Sequence, residues 1–390
     1  MSVARSAYVH VPFCRHRCGY CNFTLVAGRD DLVPAYLDAL AQEFAQRLGQ
    51  PQVVDTIFLG GGTPSHLSPK SLEQLLQLIS QWLKLESDGE YSCEANPLDC
   101  TPQRLELLRG HGVNRVSLGG QSFDEDKLRR LERDHSGQQL AQAIERCAES
   151  FPRLSLDLIF ATPDETLATW QSDVTRAMSS PIGHLSTYGL TIERGSAFYG
   201  RSLRQELVES PDEVQLNMYE HVIEALTGHG WEHYEVSNFA QPGQRCRHNE
   251  AYWLGSPWWA FGPGAASFEH STDGQAFIRR VNHRSTTTYI RKLRSGQDAS
   301  AEIDHLSRED VLRERLVFGL RRLEGVSLAE LAEWWGGPLG ELFEPHLSRY
   351  IDREWLHRSG DQVSLTRSGL VISDGLWPDL LASGPNSVLH

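Results

Sequence analysis

Strand-like and helix-like segments alternate along about the first 240 residues of the chain. An apolar segment at residues 8–13 predicts a strand, and residues 31–49 place apolar side chains at helical spacing. A second unit follows, with a strand at 53–60 and a helix at 68–85. The alternation continues, for about six units in all, through 90–96, 101–112, 114–120, 153–162, 166–178, 184–191 and 212–229. This α/β repetition favours parallel strands covered by helices, as a partial (βα)6 barrel or an open sheet.

The pattern changes beyond residue 240. Residues 241–285 are rich in Gly, Pro and Trp and predict a long functional loop or an extension. From about residue 306 the pattern is helical again, and residues 355–366 predict a small hairpin before a last helix. Helices followed by a hairpin are typical of a winged helix. The predicted domains are a barrel at 1–240, an extension at 241–300 and a C-terminal helical, winged-helix-like domain at 301–390.

Composition restricts the partners and the location. The net charge of −14 argues against nucleic acid, so we expect the winged-helix-like domain to have a structural or protein-contact role. No run of ~18 apolar residues predicts a membrane span, and the N-terminus lacks the apolar segment of a signal peptide. The seven cysteines are an odd number and fit thiolates in a reducing compartment. We therefore expect a cytoplasmic protein that is not integral to a membrane.

Three of the cysteines stand together with the spacing C-x₃-C-x₂-C: Cys14, Cys18 and Cys21. One interpretation is that they are small buried apolar residues. A second is a zinc site, which needs a fourth ligand such as His16 from inside the same loop. The third is a [4Fe–4S] cluster on three thiolates, with one iron left open for an external ligand. Arg15 and Arg17 are expected to lower the pKa of the thiols and favour thiolates.

Polar residues lie on three successive predicted strands: Glu94, Gln121 and Asp157. A single acid in a strand is more often a hydrogen-bonded structural group than a ligand. Because active sites of α/β folds lie at the carboxyl ends of the strands, three such residues together indicate a site. The glycines at 60–62 follow another strand and let a ligand approach the backbone, although a tight turn alone also explains them.

The cysteine spacing, with Tyr20 before the last cysteine, resembles the radical S-adenosylmethionine (SAM) family. This resemblance implies a radical SAM barrel, a [4Fe–4S] cluster on the three cysteines and SAM on the open iron. The sequence GGGTPS at 60–65 is similar to the GGTP motif of the family, which implies that Gly61, Gly62 and Thr63 bind the SAM amino group. Matching positions in the subgroup most similar to this chain imply further SAM contacts from Tyr8, Tyr20, Glu94, Gln121, Arg133 and Asp157.

The motifs YVHVPFC, GGGTPS, EANP and RVSLGGQSF together resemble the oxygen-independent coproporphyrinogen III oxidase group, over essentially the whole chain. The oxidases of that group carry a long N-terminal extension and a fourth cysteine two residues after the third. Here the cysteine motif starts at residue 14, and the residue two positions after the third cysteine is Phe23. In both respects the chain resembles the HemW-type haem chaperones. One departure from the group is Ala161-Thr162-Pro163, where Gly-Leu-Pro is usual.

The sequence CRHNEAYW at 246–253 resembles the H-N-x-x-Y-W motif that is linked to haem binding in HemW-type proteins. The resemblance implies that His248 binds haem, since imidazole is a common axial ligand of haem iron. Nearby aromatic rings are expected to offer apolar surface to a porphyrin: Trp253, Trp258, Trp259 and Phe261. The alternative is an aromatic segment packed on the barrel, with an ordinary hydrogen-bonded histidine.

Three functions follow from the resemblance. The first is a haem chaperone that passes haem to an acceptor protein, expected to be a membrane haem protein, with the cluster and SAM controlling transfer or homodimer formation. The second is an oxidase in which a SAM-derived radical starts the oxidative decarboxylation of coproporphyrinogen III. The third is a radical enzyme with another substrate. The predicted cofactors are a [4Fe–4S] cluster, SAM and haem, and the sequence leaves open whether the chain is an enzyme.

Overall fold

A computed structural model describes residues 4–271 and 276–382, and one mixed sheet of twelve strands runs through the described chain. The strands are β1 (Ser6–Val11), β2 (Gln52–Gly61), β3 (Leu83–Ala95), β4 (Arg115–Gln121), β5 (Arg153–Phe160), β6 (His184–Gly189), β7 (Glu232–Glu235), β8 (Asn238–Ala240), β9 (Trp258–Phe261), β10 (Ala266–His270), β11 (Phe277–Asn282) and β12 (Ser300–Leu306). Their order across the sheet is β12-β11-β10-β9-β1-β2-β3-β4-β5-β6-β8-β7.

Helices follow most of the parallel strands and pack against one another. They are α1 (Val33–Leu48), α2 (Pro69–Trp82), α3 (Pro102–Gly110), α4 (Glu125–Arg130), α5 (Gly137–Ser150), α6 (Leu167–Met178), α7 (Ala197–Leu203), α8 (Asp212–Thr227), α9 (Arg247–Trp253), α10 (Thr286–Arg294), α11 (Arg308–Arg321), α12 (Leu328–Trp335), α13 (Gly340–Asp352), α14 (Arg367–Val371) and α15 (Trp377–Leu381). Helix α2 packs between α1 and α3, and α6 packs on α8.

The first six strands are parallel and adjacent in chain order, which is the arrangement of a (βα) barrel. Strand β9 adds a seventh parallel strand beside β1, and antiparallel strands flank both sides. Within the described chain, the two edge strands of the sheet, β12 and β7, do not pair with each other. The sheet therefore stays open there, and the barrel is partial. This confirms the predicted α/β class, and the uninterrupted chain order of β1 to β6 favours the partial barrel over the open sheet.

Local sequence explains where the covering helices begin. Helix α2 starts with Pro69 after Ser68, whose hydroxyl accepts a hydrogen bond from the Ser71 amide, and α3 starts in the same way after Thr101. The prediction of a helix as far as residue 85 was wrong at its end. Leu83 is buried and Lys84 is exposed, and this alternation lets the segment pair with the start of β2 as part of β3.

The described residues of the segment 241–285 form α9, β9, β10 and β11 and do not stay an irregular loop. A buried carboxylate on α1 attaches this part to the barrel. Glu43 accepts hydrogen bonds from the Gly262 amide (2.8 Å), the Asn282 side chain (2.6 Å) and the Tyr289 hydroxyl (2.6 Å). Because a buried carboxylate is costly without partners, these bonds fix β9 and α10 against α1.

The C-terminal part contains α11 to α15 and a small sheet of β13 (Val326–Ser327), β14 (Leu356–Ser359) and β15 (Gln362–Leu365). Strands β14 and β15 are antiparallel and are joined by a turn in which Gly360 has φ of 64°. The predicted hairpin is therefore confirmed, with helices around it as in a winged helix. Across the described ranges, no helix has the length and apolar character needed to cross a membrane.

Candidate cofactor site and the buried His248 motif

A cavity of about 400 Å³ lies at the carboxyl ends of the parallel strands. All but one of the predicted cluster and SAM residues line it: Cys14, Cys18, Tyr20, Cys21, Gly61, Gly62, Thr63, Glu94, Gln121, Arg133 and Asp157. The exception, Tyr8, and the predicted haem ligand His248 border a second cavity. The structure thus brings together side chains from the cysteine loop and from four strands, as expected for the ligand-binding end of such a barrel.

The cysteine loop follows β1 and returns beside it through a short parallel pair, Phe13–Cys14 with Val26–Ala27. The Sγ atom of Cys14 lies 3.2 Å from the Thr63 hydroxyl, and the Sγ atom of Cys18 accepts from Arg133 at 3.5 Å. All three thiols are free, which leaves them available as ligands.

Burial raises the pKa of Cys14 to about 12 and also raises the pKa of Cys21. The expected net lowering of the thiol pKa values is therefore wrong for these two residues, because burial outweighs the charged neighbours. Arg15 pairs with Asp99 at 3.2 Å, and the effect of Arg17 on Cys21 is smaller than that of burial. The thiols must release protons when they bind a metal centre, so loading becomes easier as the pH rises.

The three cysteine sulfurs are not gathered as a single-ion site would require. Among the described residues no three His, Cys, Asp or Glu side chains are grouped to hold a single metal ion. A structural zinc ion needs its ligands to converge at about 2.3 Å, whereas a [4Fe–4S] cluster takes each thiolate on a different iron. His16, the candidate fourth zinc ligand, has its Nε2 2.6 Å from the Glu132 carbonyl oxygen and 3.6 Å from the Cys18 Sγ atom.

Hydrogen bonds hold the glycine turn at the end of β2 against the cysteine loop and against β3. The Thr63 amide donates to the Phe13 carbonyl at 2.8 Å, and the Gly61 amide donates to the Glu94 carboxylate at 2.9 Å. Gly61 has φ of 112°, and a Cβ atom there would lie 2.4 Å from the His10 ring. A side chain at this position is therefore excluded by both backbone conformation and space.

Two carboxyl groups face the cavity with raised pKa values. Burial and the nearby Asp157 raise the pKa of Glu94 to about 7, and burial raises the pKa of Asp157 to about 6. Ser117 donates to Asp157 at 3.1 Å, and this bond moderates the shift. A cationic ligand such as SAM, with its sulfonium and ammonium groups, offers these carboxylates the positive charge that they lack.

Two further residues of the site have unusual surroundings. Gln121 ends β4 with φ of 66°, a left-handed conformation that a non-glycine residue rarely adopts outside functional positions. Arg133 donates to the Gly119 carbonyl at 2.7 Å, but its buried Nε has no hydrogen-bond partner among the described residues. An unpartnered buried donor at a cavity wall fits a site that is completed by a ligand.

The second cavity, of about 230 Å³, lies inside the barrel and shares Glu94, Asp157 and Tyr188 with the first. Tyr8 borders it and hydrogen-bonds to His10 at 3.0 Å. Residues of α9 close its other side.

His248, on α9, is 1% exposed, and both of its ring nitrogens have partners. Nδ1 lies 2.8 Å from the Thr56 hydroxyl and Nε2 lies 2.8 Å from the Tyr252 hydroxyl. Burial lowers the pKa of His248 to about 3, so the ring is neutral. Its amide donates to Glu90, four residues before Glu94 on β3, which places the motif about 13 Å toward the amino end of the strand.

The four aromatic residues expected near a porphyrin do not form one surface. Trp253 packs on Phe318, and Trp258 packs on Phe268 and Tyr252. Phe261 is fully buried against Phe44. In this conformation the aromatic rings of the extension serve packing, and the role of His248 in binding haem stays a prediction.

The sequence analysis missed several residues of the site. Tyr188 is the last residue but one of β6, where a single aromatic within a strand gave no separate signal, and it lines both cavities. Arg284 lies 260 residues beyond Thr24, yet its Nε donates to the Thr24 hydroxyl at 3.1 Å. No local pattern identifies such a contact.

Comparison with known proteins defines the class first. A family profile described as the radical SAM superfamily matches residues 8–177, and one described as the HemN C-terminal domain matches residues 306–372. Coproporphyrinogen III oxidase (HemN) from Escherichia coli has a similar structure, with a TM-score of 0.84 over 97% of this chain and 90% of that chain. At 20% sequence identity that likeness shows the fold alone. The protein is a radical SAM protein, which confirms a [4Fe–4S] cluster and SAM as the cofactors of its class.

Relatives that match along most of the chain identify the family within this superfamily. The haem chaperone HemW of Bacillus subtilis is 35% identical over 378 residues, which cover 96% of this chain and 98% of that protein. HemW of Mycobacterium tuberculosis (strain H37Rv) is 36% identical over 96% of this chain and 94% of that protein. The mitochondrial radical S-adenosyl methionine domain-containing protein 1 of Danio rerio is 33% identical over 84% and 74%. The chain therefore belongs to the HemW family.

Proposed function

We propose that this protein is a haem chaperone that carries a [4Fe–4S] cluster on Cys14, Cys18 and Cys21, with SAM as an exchangeable ligand. The observation that carries the proposal is the 35% identity to a haem chaperone over 98% of its length. Phe23, which stands where the related oxidases have a fourth cysteine, supports the same assignment.

The chain's own residues account for how the cofactors are held. The three thiolates would bind three irons, and the turn at Gly61–Thr63 would take the SAM amino group beside Glu94. Arg133, already bonded to Cys18 and to the Gly119 carbonyl, would orient the cluster side of the cavity. A reduced cluster supplies an electron to SAM in this superfamily.

His248 is proposed as a haem ligand in a conformation in which one of its ring nitrogens has been released. Coordination of iron by either ring nitrogen must break a bond to Thr56 or to Tyr252. The haem would then pass to an acceptor protein, which we propose to be a membrane haem protein, with a homodimer as the regulated state. The free thiols support a cytoplasmic location for these steps.

The competing function is the oxidative decarboxylation of coproporphyrinogen III. The fold of HemN makes it the natural alternative, but no residue of the described site favours it over the chaperone. Protein reconstituted under anaerobic conditions separates the two when haem titration and a coproporphyrinogen III assay are run in parallel. The proposal expects a saturable Soret change and no steady formation of protoporphyrinogen IX. Steady turnover, or the absence of any haem complex, would overturn it.

A further inference from the structure

Three charged side chains are buried together next to the carboxyl ends of β4 and β5. Lys127, on α4, donates to Glu165 at 2.5 Å and to Asp173, on α6, at 3.0 Å. All three side chains are buried, and none of them lines the cluster cavity. Lys127, Glu165 and Asp173 are called the buried triad.

The buried triad holds the chain directly after Gln121. Asp173 accepts hydrogen bonds from the Ser122 hydroxyl at 2.6 Å and from the Phe123 amide at 2.7 Å. Gln121 itself has φ of 66°, and the pairing of β4 with β5 shifts its register between Gly119 and Gln121. Such a bulge changes the direction in which a side chain points, and Gln121 lines the cavity. Asp173 therefore fixes the residues on which the unusual conformation of Gln121 depends.

The neighbouring strand end is held in the same way. Ala161 follows β5 with φ of 60°, and the next residue, Thr162, donates its amide (2.9 Å) and its hydroxyl (3.0 Å) to Glu165. Gln121 and Ala161 are thus each followed at once by a residue that is bonded to the buried triad. Because Lys127 bonds to both carboxylates, it joins the two strand ends into one unit.

Stability alone does not explain three buried charges. Apolar residues of similar size are often as stable as a buried ion pair, because the cost of desolvation offsets the attraction. Burial raises the pKa of Glu165 even though Lys127 lies beside it, which shows that cost. The charges do provide directional hydrogen bonds, which are satisfied only while the partners keep their places. A strained residue at a binding site needs surroundings of this kind to persist.

We propose that Lys127, Glu165 and Asp173 are positioning residues for SAM that act through Gln121. The inference rests on the proposed binding of SAM and on the expected contact of Gln121 with it. The Gln121 amide group lies over Gly119, where a Cβ atom would be 3.1 Å from its Nε2, so its place depends on the bulge. Without the buried triad, the turn after β4 relaxes and the Gln121 amide group leaves the position that meets the ligand.

Equilibrium dialysis of labelled SAM against cluster-loaded protein tests this role. Lys127→Met should weaken SAM binding about tenfold and leave the iron content unchanged. In a protein that already carries Gln121→Ala, the same change should weaken binding by less than about twofold, because nothing is left to position. Arg313→Met is the matched control, since it removes another buried cation, which pairs with Glu309 at 2.7 Å. This control should lose stability and bind SAM normally.

Asp173→Asn keeps the shape of the side chain and decides the question if Lys127→Met does not fold. It should also weaken SAM binding, and again only while Gln121 is present. Normal SAM binding by the folded triad variants would overturn the inference. Equal losses with and without Gln121→Ala, or an equal loss in Arg313→Met, would also overturn it, since the buried triad then serves only general stability. If the wild type itself binds no SAM, the proposed binding of SAM fails as well, and that result differs from each of the others.

Discussion

The two ends of the barrel differ in how their polar groups are satisfied. At the carboxyl ends, Glu94 and Cys14 have raised pKa values and border a cavity of about 400 Å³. At the amino ends, Glu90 accepts from the His248 amide and pairs with Arg115 at 3.5 Å, both side chains being almost fully buried. The polar groups at the carboxyl ends therefore find their partners in ligands, whereas those at the amino ends find their partners within the chain itself.

The largest expected effect separates the cluster cysteines from the buried structural ones. Cys18→Ala should abolish cluster formation, because three thiolates are the minimum that holds the cluster. Cys147→Ala is the matched control, since Cys147 is fully buried in the core and should cost only some stability. Iron and sulfide content, with the visible iron–sulfur absorbance, measures the difference. Equal iron in the two variants would contradict the assignment of the site.

The next effect concerns the amino end. His248→Ala should lower the free energy of unfolding by about 2–4 kcal/mol, because it leaves a cavity and removes the partners of Thr56 and Tyr252. Urea unfolding of the apoprotein measures this change. Cluster content should stay at the wild-type level. A variant with normal stability but a lower cluster content would show that the two ends of the barrel are not independent.

A pH effect tests the carboxyl end. Glu94 and Asp157 have pKa values of about 7 and about 6, above those of an unfolded chain, so they are protonated at low pH and ionise as the pH rises. SAM affinity should therefore rise about tenfold between about pH 5.5 and pH 7.5, since the carboxylates attract its cationic groups. Without SAM, the same ionisation should reduce the free energy of unfolding over this pH range.

Equilibrium dialysis with labelled SAM at several pH values measures this dependence. Glu94→Gln should remove most of it, whereas Glu86→Gln, an exposed glutamate paired with Arg5, should keep it. A flat pH profile for the wild type would show that these carboxyl groups do not respond to SAM.

The smallest effect concerns Ala161, which follows β5 with φ of 60°. A left-handed conformation costs alanine about 1 kcal/mol relative to glycine, which explains why the related group usually has glycine at this position. Ala161→Gly should raise the free energy of unfolding by about that amount and leave the cluster unchanged. Thermal unfolding measures this gain in stability. A lower melting temperature for Ala161→Gly would contradict the claim that Ala161 is strained.

The sequence alone singled out most residues that line the carboxyl-end cavity, because the signals for them are local. Cysteine spacing, a glycine turn and single polar residues on strands such as Glu94 and Asp157 are all visible along the chain. Tyr8 was placed less well, because it precedes the end of β1 by three residues and so faces the second cavity. Helix α9 was harder still, since the partner of His248 at Thr56 is 192 residues away. The raised thiol pKa values depend on burial, which the charged neighbours in the sequence did not reveal.

The most direct test of the central claim is one anaerobic titration of the reconstituted protein with ferric haem, with the Soret band and the iron–sulfur absorbance recorded together. The account predicts a single saturable Soret change while the iron–sulfur absorbance is retained, because haem and cluster occupy different groups of the same protein. A Soret band that never saturates, or iron–sulfur absorbance that disappears in step with haem binding, would contradict it.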